Sequence, residues 1–310
     1  MLRAIRRVDQ RYLIIKQRYL IRDILGSGGF SNTYLAQDLC FPASPPLVVK
    51  QLQPSVENRQ SFHPDKILEW FHREATALAR LGNHPQIPRL FDYFMENGEF
   101  YLIQEFIEGH DLSQELSGRQ LTETKVLTLL QEILEVLEVV HRHGIIHRDI
   151  KPENIMRRHT DGKIVLIDFG LIKEIFPRSN YSPANLTMGV GTPGYVPYEQ
   201  ANGSPQLSSD IYAVGMIGIQ ALTGYHPEEL KNIYTHEIIW RDKVFVSPEL
   251  AEVLDRMVRH RFWKRYPSAT EALQDIKWII SRRIERNKLL MRYLKPKAFA
   301  LASVQINRFV

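Results

Sequence analysis

The sequence predicts an α+β fold in two lobes, a small antiparallel sheet carrying one main helix and then a mostly helical lobe. Three observations predict it. Over about the first hundred residues, short β-type runs are broken by Gly, Pro and an Asn-Gly pair. One segment of helical period interrupts those runs. From Leu121 onward, apolar residues recur instead at the three- and four-residue steps of buried helices.

Taken in order, Tyr19 to Leu25, Asn32 to Gln37 and Leu47 to Leu52 read as strands. Ile67, Phe71, Glu74, Leu78 and Leu81 follow at alternating four- and three-residue steps, so they share one face of a helix, and one of the five is a carboxylate. Arg89 to Met95 and Phe100 to Phe106 flank Asn97-Gly98, the dipeptide of a tight hairpin turn. In the second lobe Thr122 is placed to cap a helix whose stripe is Val126, Leu129, Leu130, Ile133, Leu137 and Val140. Short strands are expected at Asn154 to Arg157 and Lys163 to Ile167, then irregular chain to about Ser208, then helices. The longest apolar stretch, Ile211 to Leu222, is shorter than the roughly 20 residues of a membrane span, and predicts a buried helix. Trp278, Ile279, Ile280, Ile284, Leu289, Leu290 and Tyr293 suggest a basic amphipathic helix packed on its own domain, which Pro296 should end. The apolar segment Ala298 to Val310 is suited to docking. Arg11-Tyr12-Leu13-Ile14 is echoed by Arg18-Tyr19-Leu20-Ile21, too short a match to mean duplication.

Composition narrows the class. The 310 residues are 44% hydrophobic and 24% charged, which suits one or two joined globular domains and argues against disorder or a fibrous repeat. A single cysteine, Cys40, excludes an internal disulfide or a cysteine metal cluster and fits a reducing cytoplasm. The basic start from Met1 to Arg7 lacks a following apolar region, so no secretory signal is expected. The net charge of +5 is uneven: residues 1–22 carry +6, residues 276–310 carry +8, and the body between them carries −9. Basic ends of this kind suit an anionic membrane surface, nucleic acid or an acidic partner. A solvated helical face is the commoner explanation, and specific nucleic-acid binding is not expected.

Three segments carry chemistry. Gly26-Ser27-Gly28-Gly29-Phe30-Ser31 lies between two strand-like runs, and glycines there let backbone N–H groups approach phosphate oxygens without a Cβ in the way. A ligand-free glycine hairpin reads equally well; a dinucleotide motif does not, because that motif opens a helix. Lys50 closes the strand Leu47-Val48-Val49-Lys50. A carboxylate on the apolar seam of the next helix is costly to bury without a cation, so Lys50 is the natural partner of Glu74. The alternative leaves Glu74 at the rim, facing water or Arg73. The third signal is His147-Arg148-Asp149-Ile150-Lys151-Pro152-Glu153-Asn154, followed after Ile164-Val165-Leu166-Ile167 by Asp168-Phe169-Gly170.

In this order the segments resemble the nucleotide loop, catalytic loop and magnesium-binding motif of eukaryotic-like (Hanks-type) serine/threonine protein kinases, over about residues 19 to 275. Ile87-Pro88-Arg89-Leu90 and Gln104-Glu105-Phe106-Ile107-Glu108-Gly109 resemble the cyanobacterial members. The resemblance implies a bilobal protein-kinase-like fold, with a kinase domain over 19–278, its N-lobe about 19–107 and C-lobe about 108–278, and basic extensions at 1–18 and 279–310. It implies ATP as co-substrate with magnesium, protein hydroxyls as acceptors, and a cytoplasmic signalling role.

Role by role, the resemblance makes Asp149 the group that accepts or orients the substrate hydroxyl's proton, and Asn154 and Asp168 the magnesium ligands. Lys50, oriented by Glu74, would grip the α- and β-phosphates, and Lys151 would approach the transferred phosphate. Leu25, Thr33, Val48 and Met156 match the positions that sandwich adenine, Gly26, Ser27, Gly28 and Gly29 the phosphate loop, and Glu105 to Ile107 the hinge; Gln104 stands at the back of the pocket. Gly191-Thr192-Pro193-Gly194-Tyr195-Val196-Pro197-Tyr198-Glu199 resembles the substrate-docking loop, and Lys151 with Thr192 resembles the serine/threonine branch. Asp210 and Arg265 match structural anchors, Arg265 as the expected partner of Glu199. Arg148 calls for an anionic partner, and a phosphate on Thr187, with Ser179 and Ser182 behind it, is the expected one.

Three residues depart from the family pattern. Ser31 replaces a loop glycine, Thr33 a valine, and Pro197-Tyr198 the usual Ala-Pro before Glu199. None removes a catalytic group. The competing readings are a kinase-shaped scaffold without turnover, against which Lys50, Glu74, Asp149, Asn154 and Asp168 are all intact, and a kinase of small metabolites or lipids, against which the 187–199 segment speaks.

Overall fold

The computed structural model describes residues 13–27, 31–41, 43–52, 64–82, 84–169, 173–174, 192–232 and 234–306. Gly28, Gly29, Gly170, Ser179, Ser182, Thr187 and Gly191 lie outside the described residues.

The small lobe is built on six antiparallel strands, β1 (Ile14–Ile15), β2 (Tyr19–Ser27), β3 (Ser31–Asp38), β4 (Leu47–Leu52), β5 (Leu90–Glu96) and β6 (Glu99–Glu105), in the order β1-β2-β3-β4-β6-β5. Helix α1 (Pro64–Leu81) enters between β4 and β5. Alternation along the strands sorts the two faces. Leu47, Val49, Tyr101 and Ile103 join Tyr19, Ile21 and Ala36 in one apolar cluster. The intervening positions, among them Lys50 and Leu102, face α1, where Leu102 packs with Phe71 and Ala75. Phe71, Glu74, Leu78 and Leu81 of the expected helical face are all buried, with Glu74 only 1% exposed.

Strand β1 departs from the expectation. Residues 13–18, within the stretch read as an N-terminal extension, turn back on the sheet: Ile14 pairs with Leu20 and Ile15 with Tyr19. Ile14 of the first echoing tetrapeptide thus faces Leu20 of the second across one hairpin, with Lys16 and Gln17 at φ of 52° and 51° in the turn. Lys16 then anchors to Asp92 at 2.9 Å and Tyr19 donates its hydroxyl to Asp92 at 3.2 Å.

The large lobe begins with β7 (Gly109–Asp111) and α2 (Leu112–Leu116), then α3 (Glu123–Arg142), whose Thr122 cap accepts from the Lys125 N–H as expected. Strand β8 (Ile145–Ile146) and a 3-10 turn at Pro152–Asn154 lead to β9 (Ile155–Arg158) and β10 (Ile164–Leu166). β9 is flanked by β7 and β10, and β11 (Lys173–Glu174) pairs with β8. A Cβ at Gly109 would lie 2.2 Å from the Arg157 carbonyl oxygen, so only glycine lets β7 come this close to β9. Helix α4 (Tyr198–Ala201) precedes α5 (Leu207–Thr223), which is buried nearly throughout and ends on Gly224 at φ 74°. Helices α6 (Pro248–Met257) and α7 (Ala269–Ile306) complete the lobe. One cluster of apolar side chains from α3, α5, α6 and α7 forms the core.

Helix α7 corrects the sequence reading, because it continues past Pro296 to Ile306. A proline removes one helical hydrogen bond, while the residues after it (Ala298, Ala300, Leu301 and Ala302) are strong helix formers. No helix of the described residues is long and apolar enough to cross a membrane.

Candidate active site

The site forms where the sheet of the small lobe meets the loops after β8 and β10. On β4, Lys50 pairs across the sheet with Thr33 and Leu102. Its side chain is buried, and Nζ lies 2.7 Å from Glu74 Oε1 and 2.6 Å from Asp168 Oδ1. The expected Lys50–Glu74 partnership is present, and a carboxylate from the other lobe joins it. Burial opposes the charge on Lys50, but Asp168 and Glu74 outweigh it and raise the ammonium pKa above the ordinary lysine value. Burial pushes the Glu74 carboxyl up, against the pull of Lys50.

The second cluster surrounds Asp149. Asn154 donates its amide to both Asp149 O and Asp149 Oδ2 at 2.8 Å. Lys151 Nζ lies 3.0 Å from Asp149 Oδ2 and donates to Thr192 Oγ at 2.8 Å, while Thr192 Oγ donates to Asp149 Oδ1 at 3.1 Å. The Lys151–Thr192 pairing therefore frames the carboxylate with an ammonium and a hydroxyl. Asp149 is 8% exposed, so its charge sits among fixed dipoles rather than in bulk water.

Buried Asp210 at the start of α5 holds this loop in shape. It accepts the backbone N–H groups of His147 and Arg148, each at 2.8 Å, and lies 3.1 Å from His141 Nε2. His147 closes the loop from inside: its Nδ1 accepts the Asp149 N–H at 3.3 Å, and its Nε2 donates to Ile167 O at 3.2 Å. Burial lowers the His147 pKa, which fits the neutral ring that both contacts require. Two non-glycine residues are left-handed, Arg148 at φ 70° in this loop and Asp168 at φ 64° after β10. Such positions persist only where surrounding contacts over-determine them, and both border the cluster.

Of the positions expected on the nucleotide side, Leu25, Gly26 and Ser27 lie on β2, Thr33 on β3, Val48 on β4, Glu105 on β6 and Met156 on β9. Val48 faces the same way as Lys50, Thr33 pairs with Gly26 and Lys50, and Met156 pairs with Asp111 on β7. Leu25 is 44% exposed, and Ser27 is tied to Asn32 at 2.7 Å. Glu105 donates its N–H to Arg89 O, and its carboxylate accepts from the Arg89 N–H, so its side chain turns towards β5. Ile107 is buried, and among the described residues its backbone N–H and C=O take no backbone partner. Asn154 with its amide nitrogen committed, and Asp168 with its carboxylate 44% exposed, present hard oxygen donors. Such a pair suits magnesium, which takes one or two protein ligands and completes its shell with water and phosphate oxygens.

Sequence reasoning did not single out His147, His141 or Gln200. Gln200 donates to Arg148 O at 2.5 Å and so ties α4 to the loop after β8. His147 stood inside the recognised motif, whereas His141 and Gln200 gave no local signal.

Fold and site together define a protein kinase. The family model described as the protein kinase domain matches residues 19–279, and the chain belongs to that family. Among curated proteins it resembles serine/threonine-protein kinase C of Synechocystis sp., at 46% identity over 274 residues, covering 85% of this chain and 50% of that protein. It is 44% identical over 273 residues to serine/threonine-protein kinase PknA of Nostoc sp., covering 86% and 47%. Serine/threonine-protein kinase B of Synechocystis sp. is 42% identical over 268 residues, covering 84% and 46%. The chain spans about half the length of these relatives.

Proposed function

We propose that this chain is a serine/threonine protein kinase that transfers the γ-phosphoryl group of ATP to protein hydroxyls, with magnesium as the metal. The observation that carries the reading is the bridge made by Lys50, 2.7 Å from Glu74 and 2.6 Å from Asp168, which joins the two lobes across the cleft. A lysine held charged and oriented in this way is suited to the α- and β-phosphates. Asn154 and Asp168 would hold magnesium, which when bound neutralises charge on the phosphate oxygens.

The substrate hydroxyl oxygen forms a bond to the γ-phosphorus as the bond to the β-phosphate bridging oxygen breaks, and ADP leaves. Asp149 accepts or orients the hydroxyl proton. Its geometry supports that role, because Asn154 and Thr192 hold both carboxylate oxygens. Lys151, beside it, supplies positive charge where the transferred group passes. The backbone groups of Ile107, which take no backbone partner among the described residues, support hinge recognition of the base, with Glu105 contributing its main-chain carbonyl, while Leu25, Thr33, Val48 and Met156 supply the walls of the pocket. Gly26, Ser27, Gly28 and Gly29 complete the reading as the phosphate loop.

Self-phosphorylation belongs to this reading, at Thr187 first and then Ser179 or Ser182. Its support is Arg148, whose side chain is buried with Nε and Nη2 unpaired among the described residues. Burial, and the neighbouring Arg73 charge, lower the Arg148 pKa against the pull of Asp210, so an anion there would relieve both costs. We take 19–278 as the catalytic unit and the basic ends, +6 and +8, as elements suited to peripheral contact with an anionic membrane surface. ATP as co-substrate and a single free cysteine, Cys40, fit a reducing cytoplasm.

The test is nucleotide binding followed by a comparison of acceptors. Lys50→Met should weaken Mg-ATP binding or turnover while the protein stays folded. Proteins should be phosphorylated and small metabolites and lipids should not. Turnover of metabolites alone would overturn the assignment of the substrate class.

A further inference from the structure

Away from the phosphoryl-transfer residues, two histidines face each other at the edge of the three-stranded sheet. We propose that His110 and His159 form a binding site for a first-row transition-metal cation of the zinc class. His110 lies in β7, in register with Arg157 of β9. His159 follows β9, and its N–H donates to Glu108 O at 2.9 Å, extending the pairing by a step. Residues two apart on a strand share a face, so His159 is the diagonal cross-strand neighbour of His110.

The separation of the rings fits one ion. His110 Nδ1 and His159 Nε2 are 3.4 Å apart. Two nitrogens on a tetrahedral zinc at about 2.0–2.1 Å lie about 3.3–3.4 Å from each other. The same distance is long for a hydrogen bond. On its other side, His110 Nε2 donates to Glu115 Oε1 at 2.9 Å, which holds the proton on Nε2 and leaves a lone pair on Nδ1. A carboxylate behind a ligating imidazole fixes its tautomer and ring orientation in this way.

Charge does not forbid the ion. Arg157 is the nearby cation, and it is spent on Glu115 at 2.8 Å and Glu132 at 2.9 Å, so these three groups leave one net negative charge. His159 is exposed and His110 half-buried, which leaves room for entry and for water ligands. Imidazole nitrogens select zinc, copper or nickel over magnesium and calcium. Among the described residues no group of three or more His, Cys, Asp or Glu converges on a metal position, so the site is an exchangeable two-histidine site with water completing the shell. A bound ion would clamp β7 to β9, the strands that carry Asp111 and the cleft residue Met156.

The proposal does not depend on the phosphoryl-transfer reading, and its test omits nucleotide. Zinc chloride is titrated into the full chain in competition with a chromophoric chelator, and thermal melts are recorded with and without zinc. One zinc per chain is expected, with a rise in melting temperature. His110→Gln and His159→Gln should each weaken binding tenfold or more and abolish the rise, while Asp168→Asn leaves both unchanged. His159 is exposed, so its variant keeps the fold, checked by its zinc-free melt. Zinc binding by the wild type no tighter than by the His110→Gln/His159→Gln double variant would overturn the proposal, as would loss of zinc binding in Asp168→Asn alone.

Discussion

The guanidinium of Arg265 closes on the carboxylate of Glu199 at 2.6 and 3.2 Å inside the large lobe, with the arginine side chain wholly buried. The remaining donors of Arg265 go to the carbonyls of Arg259, His260 and Ser208, and Ser209 donates to Glu199 Oε1. Every charge of the pair is thus matched. Removing one partner leaves a buried uncompensated charge, which costs about 3–5 kcal/mol. Arg265→Ala should lower stability by that amount in urea denaturation, and Glu199→Leu combined with Arg265→Met should lose less than either single truncation. A double-variant loss equal to the sum of the two single losses would show that the pair is not coupled.

Gly109→Ala tests the close approach of β7 to β9. The added Cβ meets backbone on every near side, Arg157 O at 2.2 Å and Arg158 Cα at 3.2 Å, so no flexible side chain can yield. Overpacking of this kind costs about 1–3 kcal/mol. The expected readout is a lower denaturation midpoint and faster hydrogen exchange at residues 109–111.

The pH dependence of stability reports on His147. Its folded pKa is depressed by burial below the ordinary 6.5, so the unfolded chain takes up a proton first. Its contribution is complete above pH 6.5 and is lost as pH falls from there through the folded pKa, with a slope of up to about 1.4 kcal/mol per pH unit. Proton uptake would also cost the acceptor at Nδ1 that holds the Asp149 N–H. Calorimetric melts of wild type and His147→Asn between pH 5 and 7.5 should converge towards the acid end; parallel curves would remove His147 from the account.

Arg148 and Thr187 test the regulatory reading. Hydrogen bonds to charged groups contribute about 1.5–3 kcal/mol, enough to shift a loop's population about 10- to 100-fold. Thr187→Ala should therefore lower activity by about that factor, and Arg148→Leu should remove the difference between phosphorylated and unphosphorylated protein. Unchanged activity and autophosphorylation in Thr187→Ala would remove Thr187 from the reading.

Much of this was legible in the sequence, for physical reasons that differ by element. Glu74 pointed to Lys50 because a carboxylate on an apolar helical seam needs a cation. The Asn97-Gly98 hairpin and the Thr122 cap carry local chemistry that few other conformations satisfy. The β1 hairpin was not legible, because its strand is two residues long and its turn puts Lys16 and Gln17 at positive φ without glycine or asparagine. Helix α7 overran Pro296 because a single lost hydrogen bond was outweighed by the helix formers after it. Asp210 was recognised as an anchor, but its targets, two backbone N–H groups, leave no trace in residue identity. His110 and His159 are 49 residues apart, one on a short strand and the other just past one, and only the register of β7 and β9 brings them together.

The central claim rests on Asp149, and the most direct measurement is transfer of labelled phosphate from Mg-ATP to the protein itself and to a generic protein substrate, by wild type and by Asp149→Asn. Incorporation by the wild type, reduced in Asp149→Asn by at least about a hundredfold, is the predicted result, since positioned proton transfer contributes about 10²–10⁴-fold. Nucleotide binding with no incorporation by the wild type, or equal incorporation by Asp149→Asn, would contradict it.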